Sequence, residues 1–319
     1  MIKTTKKINI LKNQTILLTG SSGMLGSRLL IDLKKKGYKK ILTPKRSELD
    51  LLNFNEVKKY FKKNKPIYLF LVAAKVGGIK DNKLYPLQYL QVNLEIQNNL
   101  FRAAHLFDVK KCIFIGSSCV YPKNSRQPIK ESSLLDGKLE DTNEGYALAK
   151  IVGIKTSNYY FKQHNMLTVS PMICNMYGTK DSFDLEKSHV LSALIKKFVN
   201  AKKLNQNTVS IWGTGNPKRE FIHVEDASRA IILLFETFHR NEIVNVGSGK
   251  EISINELAKM ISKMTNFKGK LQWDKSMPDG MKRKILDIST LKKLNFSTKI
   301  NLKKGIKKTI LEYKKLNKI

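Results

Sequence analysis

Tyr146 and Lys150 have the residue types and the spacing of a proton-transfer pair. The stretch Tyr-Ala-Leu-Ala-Lys places a phenol four residues before an ammonium. Residues four apart on a helix lie on the same face, one turn apart, so the two groups would be neighbours. A phenol titrates at about pH 10, and a nearby cation favours its ionised form. The spacing is common on helix surfaces, so its meaning depends on the elements around it.

Ser117 precedes the tyrosine and ends the apolar run from Lys111, which predicts a β-strand. The carboxyl ends of parallel strands are where α/β sheets place their chemistry. A serine hydroxyl there can hydrogen-bond a carbonyl oxygen while a hydride reaches the carbon, and a tyrosine can exchange the proton. Ser117, Tyr146 and Lys150, in this order on a strand and a helix, therefore predict a carbonyl-reducing site.

A glycine-rich turn near the N-terminus predicts a dinucleotide site. It lies between a short apolar strand, 15–20, and a segment with helical periodicity, 24–36. Glycines there allow a tight turn and close approach to a pyrophosphate, which would face the N–H groups of the helix N-terminus. The alternative is an ordinary glycine-rich turn. The predicted cofactor contacts are Gly20, Ser21, Ser22, Gly23, Met24, Leu25 and Gly26.

The end of the second strand favours NADPH over NADH. Dinucleotide sites that prefer NADH carry an acidic residue there, which binds the ribose 2′-hydroxyl. This sequence has Lys45 and Arg46 instead, and two cations suit a 2′-phosphate. The competing interpretation is two more surface cations in a very basic chain. Asp50, a little further on, is placed near the adenine.

Apolar runs alternate with helical patterns through the first half of the chain. Runs at 40–43, 67–74 and 111–117 and a helical pattern at 84–107 predict βαβ units with a parallel sheet. The expected fold is an α/β Rossmann-type doubly wound sheet with a smaller, mainly C-terminal α/β substrate domain. The predicted division gives residues 1–171 to the NADP-binding domain, with 220–248 returning to it. Residues 172–219 and 249–319 would form the substrate-binding domain.

The composition is that of a globular chain of 319 residues, 41% hydrophobic and 27% charged. Its formal net charge of +33 raises the possibility of nucleic-acid binding, but the lysines are spread along the chain instead of forming one stripe. We expect a basic surface, a few of whose cations meet an acidic substrate. No apolar run could span a bilayer, and no signal-peptide pattern follows Met1, so we expect a cytoplasmic protein. The three cysteines show no metal-binding or disulfide pattern.

The chain resembles the extended short-chain dehydrogenase/reductases, whose glycine spacing matches that of the N-terminal turn. Within them it looks like the branch that epimerises and reduces GDP-linked 4-keto-6-deoxy sugars. The resemblance runs from the first strand to about residue 287. The stretches that carry it are Ala73–Ile79, Gly116–Lys123, Thr142–Lys150, Ser188–Val190, Trp212–Gly215, Arg219–His223, Asn245–Gly249 and Pro278–Gly280.

This resemblance implies roles for residues whose types alone are uninformative. Cys119 and His189 match an epimerase acid/base pair that inverts C3 and C5 beside a C4 ketone, since a thiol and an imidazole can both accept and donate protons near neutrality. Without the resemblance, Cys119 would be interpreted as a small buried residue and His189 as a surface residue. Further implied cofactor contacts are Ala73, Ala74, Lys150, Ile173, Cys174, Asn175, Met176 and His189. Implied contacts to a GDP-sugar are Lys197, Trp212, Arg219 and Asp279.

Two departures from the family pattern bear on the cofactor site. Ser21 and Ser22 stand where relatives have a basic residue for the 2′-phosphate, which leaves the NADPH preference to Lys45 and Arg46. Ile173 and Cys174 replace a Pro-Thr pair. The substrate expected from the resemblance is GDP-4-keto-6-deoxy-mannose, in an enzyme that forms a homodimer through the Tyr146 helix and the 84–107 helix.

Other functions are weighed against this expectation. A related GDP-sugar of the 6-deoxy-heptose or colitose type is a close alternative. Reduction without epimerisation would not require both Cys119 and His189. A non-catalytic NADPH sensor would be expected to lack the intact Tyr146–Lys150 pair.

Overall fold

The structure of the chain is a computed structural model. It describes residues 8–185, 188–277 and 279–319. The basic segment at 1–7 and Pro278, which is part of one of the family-like stretches, lie outside the described residues.

Thirteen strands and ten α-helices are defined in the described ranges. The strands are β1 Ile16–Leu18, β2 Ile41–Leu42, β3 Tyr68–Leu71, β4 Lys111–Phe114, β5 Gly116–Ser117, β6 Leu167–Ile173, β7 Asn175–Tyr177, β8 Thr208–Trp212, β9 Lys218–His223, β10 Ile243–Val246, β11 Glu251–Ser253, β12 Lys270–Asp274 and β13 Arg283–Lys284. The helices are α1 Met24–Lys35, α2 Phe54–Asn64, α3 Ile79–Leu84, α4 Pro86–Leu106, α5 Glu144–His164, α6 Val190–Lys203, α7 Val224–Thr237, α8 Ile254–Met264, α9 Ser289–Lys293 and α10 Leu302–Leu316.

A parallel sheet forms the larger part of the molecule, with strand order β10-β6-β4-β3-β1-β2 and β5 added beside β6. Every residue of β3, β4 and β6 is buried, because helices cover the sheet on both faces. Helices α1 and α7 pack together, as do α4 and α5. The chain order reverses between β1 and β3, which is where a doubly wound sheet opens a crevice. The predicted Rossmann-type α/β fold is confirmed.

Two details of the first half differ from the sequence-based expectation. The helical pattern at 84–107 is interrupted at Tyr85, which has φ −127° and ψ 46°, so that α3 and α4 are separate helices. The cause is Pro86, because a proline disfavours the helical conformation in the residue before it. The run 111–117 is also two strands, β4 and β5, divided at Ile115; β5 pairs only with β6.

The smaller part contains a four-stranded sheet in which β9 pairs with β7, β11 and β13, and a separate pair β8–β12. A second hydrophobic core lies among α6, α8 and α10. The chain leaves the parallel sheet at Cys174, between β6 and β7, and β10 returns to it beside β6. Across the described ranges, none of the helices has the length and apolarity needed to cross a membrane.

Candidate active site

One cavity of about 1400 Å³ lies at the carboxyl ends of the parallel strands and continues to the smaller part. Every site residue predicted from the sequence lines it. They are Gly20, Ser21, Ser22, Gly23, Met24, Leu25, Gly26, Lys45, Arg46, Asp50, Ala73, Ala74, Ser117, Cys119, Tyr146, Lys150, Ile173, Cys174, Asn175, Met176, His189, Lys197, Trp212, Arg219 and Asp279. The structure thus brings together residues that are up to 259 positions apart in the chain (279 minus 20).

The glycine turn connects β1 to α1 with two glycines whose geometry requires the absence of a side chain. Gly20 has φ +68°, and a Cβ there would lie 2.8 Å from the Ala73 backbone nitrogen. A Cβ on Gly26 would lie 2.1 Å from the Gly20 carbonyl oxygen. The turn is also tied to β3, because the Thr19 hydroxyl accepts hydrogen bonds from the backbone nitrogens of Val72 and Ala73, at 3.1 and 3.3 Å. At these two glycines only backbone atoms lie between the α1 N-terminus and the cavity. This is the arrangement that a diphosphate-binding turn requires.

Lys45 and Arg46 follow β2 at the rim of the cavity, and both are exposed. Neither cation forms an ion pair with any residue that the structure describes. The Lys45 backbone nitrogen donates to the Glu48 carboxylate at 2.8 Å, which fixes the turn. Asp50 is half-buried, and its carboxylate accepts from the Leu52 backbone nitrogen at 3.0 Å. The two cations are thus available to an anion at this end of the cavity.

Lys150 is buried beside Tyr146 on α5. Its ammonium donates to the Ile115 carbonyl oxygen at 2.8 Å and lies 5.7 Å from the centre of the Tyr146 ring. Ile115 is the residue that divides β4 from β5, so the same break frees this carbonyl and places Ser117 at the cavity. The Ser117 hydroxyl accepts from the Cys119 backbone nitrogen at 3.3 Å.

Burial controls the protonation of this pair. It raises the pKa of the Tyr146 phenol, and the neighbouring Cys119 and Tyr89 raise it further. Burial also lowers the pKa of Lys150 to about 8, against a smaller opposing effect of Cys119. The sequence had suggested that the lysine would favour the phenolate. The desolvation of both groups outweighs that attraction here, so the phenol keeps its proton at neutral pH.

Cys119 and His189 reach the cavity from different elements. Cys119 follows β5 in a short 3₁₀ turn and is 5% exposed. Burial raises the pKa of its thiol, while Lys284, a hydrogen bond from Ser117 and Lys150 act in the opposite direction. His189 occupies the N-cap position of α6 without a capping hydrogen bond from its side chain, and it is exposed. An acid/base group is thus available from each of two walls.

The junction between β6 and β7 forms another wall of the cavity, with Ile173, Cys174, Asn175 and Met176. The Cys174 backbone nitrogen donates to the Val246 carbonyl oxygen at 3.0 Å. The Asn175 side chain donates to the Glu220 carbonyl oxygen at 3.1 Å. These bonds hold the junction to β10 and to β9, so both sheets position it.

Lys197 and Trp212 lie together at the far end of the cavity. The Lys197 ammonium donates to the Ser210 carbonyl oxygen at 2.8 Å and lies 5.8 Å from the centre of the Trp212 ring. Trp212 is 42% exposed, and both it and Lys197 line the cavity, so an aromatic side chain and a cation are available to a ligand.

Arg219 and Asp279 hold the loops around this end. The Arg219 guanidinium donates to the carbonyl oxygens of Met281 and Asp279, at 2.5 and 3.1 Å. The Asp279 carboxylate accepts from the backbone nitrogen and the hydroxyl of Thr214, both at 2.7 Å. Gly213, at φ +80°, has no room for a Cβ beside that carboxylate. Both side chains therefore shape the cavity wall that they line.

Sequence reasoning missed many of the residues that line the cavity, among them Lys284 and Glu140. Lys284 is one of 59 lysines and arginines, and its neighbours in the sequence do not distinguish it. Its place at the site depends on the pairing of β13 with β9, which aligns it with Arg219. No local pattern in the sequence could have found it.

The fold and this site are those of a nucleotide-binding oxidoreductase or epimerase. A model of the NAD dependent epimerase/dehydratase family matches residues 16–247. This match covers most of the chain, and the chain belongs to that family.

Relatives with assigned names extend over nearly the whole chain. GDP-L-fucose synthase 1 of Arabidopsis thaliana is 44% identical over 298 residues, which are 93% of this chain and 92% of the relative. GDP-L-colitose synthase of Yersinia pseudotuberculosis is 40% identical over 296 residues, 92% of this chain and 96% of the relative. A solved structure of the GDP-mannoheptose C4 reductase from Campylobacter jejuni with NADP bound has a TM-score of 0.88. It is 34% identical and covers 96% of this chain and 100% of that one.

Proposed function

We propose that the protein uses NADPH to convert GDP-4-dehydro-6-deoxy-D-mannose into GDP-L-fucose, by inverting C3 and C5 and then reducing the C4 ketone. The observation that carries the proposal is that Ser117, Tyr146 and Lys150 share one cavity with Cys119 and His189. Reduction alone would need only the first three. The GDP-L-fucose synthase of Arabidopsis thaliana, 44% identical to this chain, supports the choice of sugar.

The residues present fit NADP(H). The cradle at Gly20 and Gly26, which a Cβ would fill, leaves backbone N–H groups at the α1 N-terminus for a diphosphate. Lys45 and Arg46 offer two cations without ion pairs in the described ranges for a 2′-phosphate. Asp50 would lie by the adenine, and Ala73, Ala74 and Asn175 line the way towards the catalytic residues. When bound, the cofactor supplies the hydride.

Three residues would assist the reduction. Tyr146 holds a proton at neutral pH because burial raises its pKa, so it can donate that proton to the C4 oxygen as negative charge develops there. Ser117 can hydrogen-bond the same oxygen, which stabilises that charge. Lys150, with its pKa lowered to about 8, is still largely charged at pH 7 and can hold a ribose hydroxyl near the phenol.

Cys119 and His189 would carry out the epimerisation. The C4 ketone acidifies the protons at C3 and C5, so one group can remove a proton and the other can return one to the opposite face. Cys119 lies in the 3₁₀ turn after β5 and His189 lies directly before α6, so the two groups come from different elements of the cavity wall. Lys197, Trp212, Arg219 and Asp279 would bind or shape the pocket for the GDP moiety, with cations for the diphosphate and an aromatic face for the base or sugar.

Incubation with NADPH and the ketosugar in deuterated water tests the proposal. We expect oxidation of NADPH with deuterium at C3 and C5 of the product. Oxidation without label would contradict the epimerisation, and the absence of oxidation with any GDP-4-ketosugar would contradict the function as a whole. Cys119→Ser should suppress mainly the label, since Tyr146 and Lys150 are untouched.

A related GDP-linked ketosugar is the second candidate. The structural likeness to a GDP-mannoheptose C4 reductase, at a TM-score of 0.88, favours a heptose, and the likeness to GDP-L-colitose synthase favours a dideoxy sugar. Parallel measurements of kcat/KM on the three ketosugars decide between them. The proposed substrate should have the highest value.

The proposal includes a cytoplasmic homodimer. A row of exposed apolar residues on α5, Leu148, Val152 and Tyr159, supports self-association. They are 39%, 40% and 57% exposed and share one face of the helix, four and seven positions apart. The nucleotide-linked substrate and cofactor support the cytoplasm as the location.

We also propose that the chain has two functional domains, with a boundary at about residue 171. Residues 1–171 and 220–248 would bind the cofactor, and residues 172–219 and 249–319 would bind the sugar nucleotide. The return of β10 to the parallel sheet and the separate core around α6, α8 and α10 support this division.

A further inference from the structure

Cys119 is poorly suited to act as a base by itself, because the residue is only 5% exposed and burial raises the pKa of its thiol. A thiol that removes a proton must first be a thiolate, and a thiolate in an apolar wall needs a cation beside it. Lys150 is less available to stabilise the thiolate, because its ammonium already donates a hydrogen bond to the Ile115 carbonyl oxygen at 2.8 Å. The other groups around the thiol are Ser117, Tyr146 and Lys284.

Lys284 is the cation whose surroundings fit this need. It lines the same cavity as Cys119 and is half-buried. Among the residues that the structure describes, its ammonium has neither a hydrogen bond nor an ion pair. The charged and titratable groups around it are Cys119, Cys174, Arg219 and Glu140. Burial and the like charge of Arg219 lower the pKa of Lys284, whereas Cys119 raises it.

The backbone on both sides of Lys284 is fixed. In β13 it pairs in parallel with Arg219 of β9. The next two backbone nitrogens donate to side chains, that of Ile285 to Gln127 and that of Leu286 to the buried Glu220, both at 2.9 Å. The Lys284 side chain therefore extends from a fixed backbone position on the cavity wall. A charge that stabilises a reacting group must be positioned in this way.

We propose that Lys284 is a positioning residue for the epimerisation, whose ammonium stabilises negative charge on the Cys119 sulfur while that sulfur takes a proton from the sugar carbon. The inference rests on the proposed function. In this step the C–H bond breaks, its proton passes to the sulfur, and the electron pair is held by the C4 carbonyl oxygen. Cys119 becomes neutral, so Lys284 is then free to interact with the anionic substrate.

The test measures the reactivity of the Cys119 thiol, which does not depend on the identity of the sugar. The rate at which iodoacetamide alkylates Cys119 is followed by peptide mass spectrometry from pH 6 to 10 in the full chain. We expect Lys284→Met to shift the midpoint by about one pH unit upward and to slow alkylation at pH 7.5 by up to roughly tenfold. Lys284→Arg should keep the wild-type midpoint, because it keeps the charge.

Lys282→Met is the matched control, since Lys282 is exposed, lies two positions away in the sequence and does not line the cavity. Lys284→Gln provides a second neutral variant if Lys284→Met does not fold. An unchanged midpoint in the neutral variant would overturn the proposal. So would a rise in the KM for the sugar nucleotide with the thiol midpoint unchanged, because Lys284 would then bind the diphosphate.

Deuterium exchange at C3 and C5 provides the second measurement. The exchange rate of Lys284→Met should fall by the same factor as its alkylation rate at the same pH, and Lys284→Arg should restore it. If the wild-type protein exchanges no deuterium into any GDP-ketosugar, the proposed function has failed. The alkylation profiles would still report whether Lys284 acts on Cys119.

Discussion

At the scale of residues, burial decides what the catalytic groups can do. The spacing of Tyr146 and Lys150 predicted a helix face with a phenol near an ammonium, and both residues do lie on α5 and line the cavity. The spacing could not show that both are desolvated, which raises the pKa of one and lowers that of the other. A protonated phenol suits the reductive direction, because reduction of a ketone consumes a proton.

Tyr146→Phe tests this role. The variant removes the proton donor and keeps the ring, so we expect kcat for NADPH oxidation to fall by about 10²–10⁴-fold while NADPH binding changes little. Turnover and the dissociation constant for NADPH are measured side by side. Tyr159→Phe, on an exposed position of the same helix, should keep wild-type turnover. Retention of more than a tenth of the wild-type kcat in Tyr146→Phe would exclude the phenol as the donor.

Some residues of the site can be predicted from the sequence more readily than others. Local patterns were enough for the glycine turn and for Ser117, Tyr146 and Lys150. The placing of Cys119 and His189 relied on the resemblance to a family, because a single thiol and a single imidazole have no distinctive spacing. Lys284 was found by neither means, since it belongs to none of the quoted stretches and comes to the site through the pairing of β13 with β9.

At the scale of elements, apolar runs between helical patterns predicted the parallel sheet because covered strands are buried on both faces. The breaks at Tyr85 and at Ile115 were not predicted. The first follows from a local rule about proline, whereas the second depends on how β5 pairs with β6. The second break matters more to the site, because it exposes the Ile115 carbonyl oxygen to Lys150.

Gly26→Ala should destabilise the contact between the first helix and its preceding turn. A Cβ there would lie 2.1 Å from the Gly20 carbonyl oxygen, which is backbone and cannot move aside cheaply. We expect a loss of about 1–3 kcal/mol in the free energy of unfolding, measured in urea without nucleotide. Gly23→Ala is the control, because its Cβ would meet that oxygen at 3.5 Å, an ordinary contact. Equal losses in the two variants would contradict the steric explanation.

Lys111 couples a central strand to a helix. It is fully buried in β4, and its ammonium donates to the carbonyl oxygens of Leu234, Phe235 and Phe238 at the end of α7, at 3.3, 2.6 and 2.6 Å. Burial lowers its pKa from 10.5 to about 7. Between these values the unfolded chain binds a proton that the folded chain does not, so rising pH favours the folded state.

Lys111→Met should remove this dependence. The free energy of unfolding of the wild type, relative to that of the variant, should rise by up to about 1.4 kcal/mol per unit between pH 7 and 9. Urea unfolding at pH 7, 8 and 9 measures the difference. Lys110→Met, at the exposed neighbouring position, should follow the wild type. Parallel profiles for wild type and Lys111→Met would show that the lysine keeps its proton throughout.

At the scale of the whole molecule, the net charge of +33 favours a particular ligand only where the fold brings basic side chains together. Lys75, Lys197, Arg219 and Lys284 come from four separate parts of the chain and line one cavity. Cations in a concave site attract an anionic ligand more strongly than the same number spread over a surface. The even distribution of lysines along the sequence therefore concealed a basic cavity.

The proposed dimer belongs to this scale too. The outer face of α5 exposes Leu148, Val152 and Tyr159, and the neighbouring α4 adds Leu87, which is 61% exposed. We expect Val152→Glu to place a charge in the interface and to convert dimers to monomers at micromolar concentration, because an unpaired buried charge is costly. Sedimentation velocity measures the change in mass. Leu311→Glu, at a 59% exposed site on α10, controls for a new surface carboxylate and should leave the dimer intact. A wild-type protein that sediments as a monomer, or a Val152→Glu variant that remains dimeric, would place the association elsewhere or rule it out.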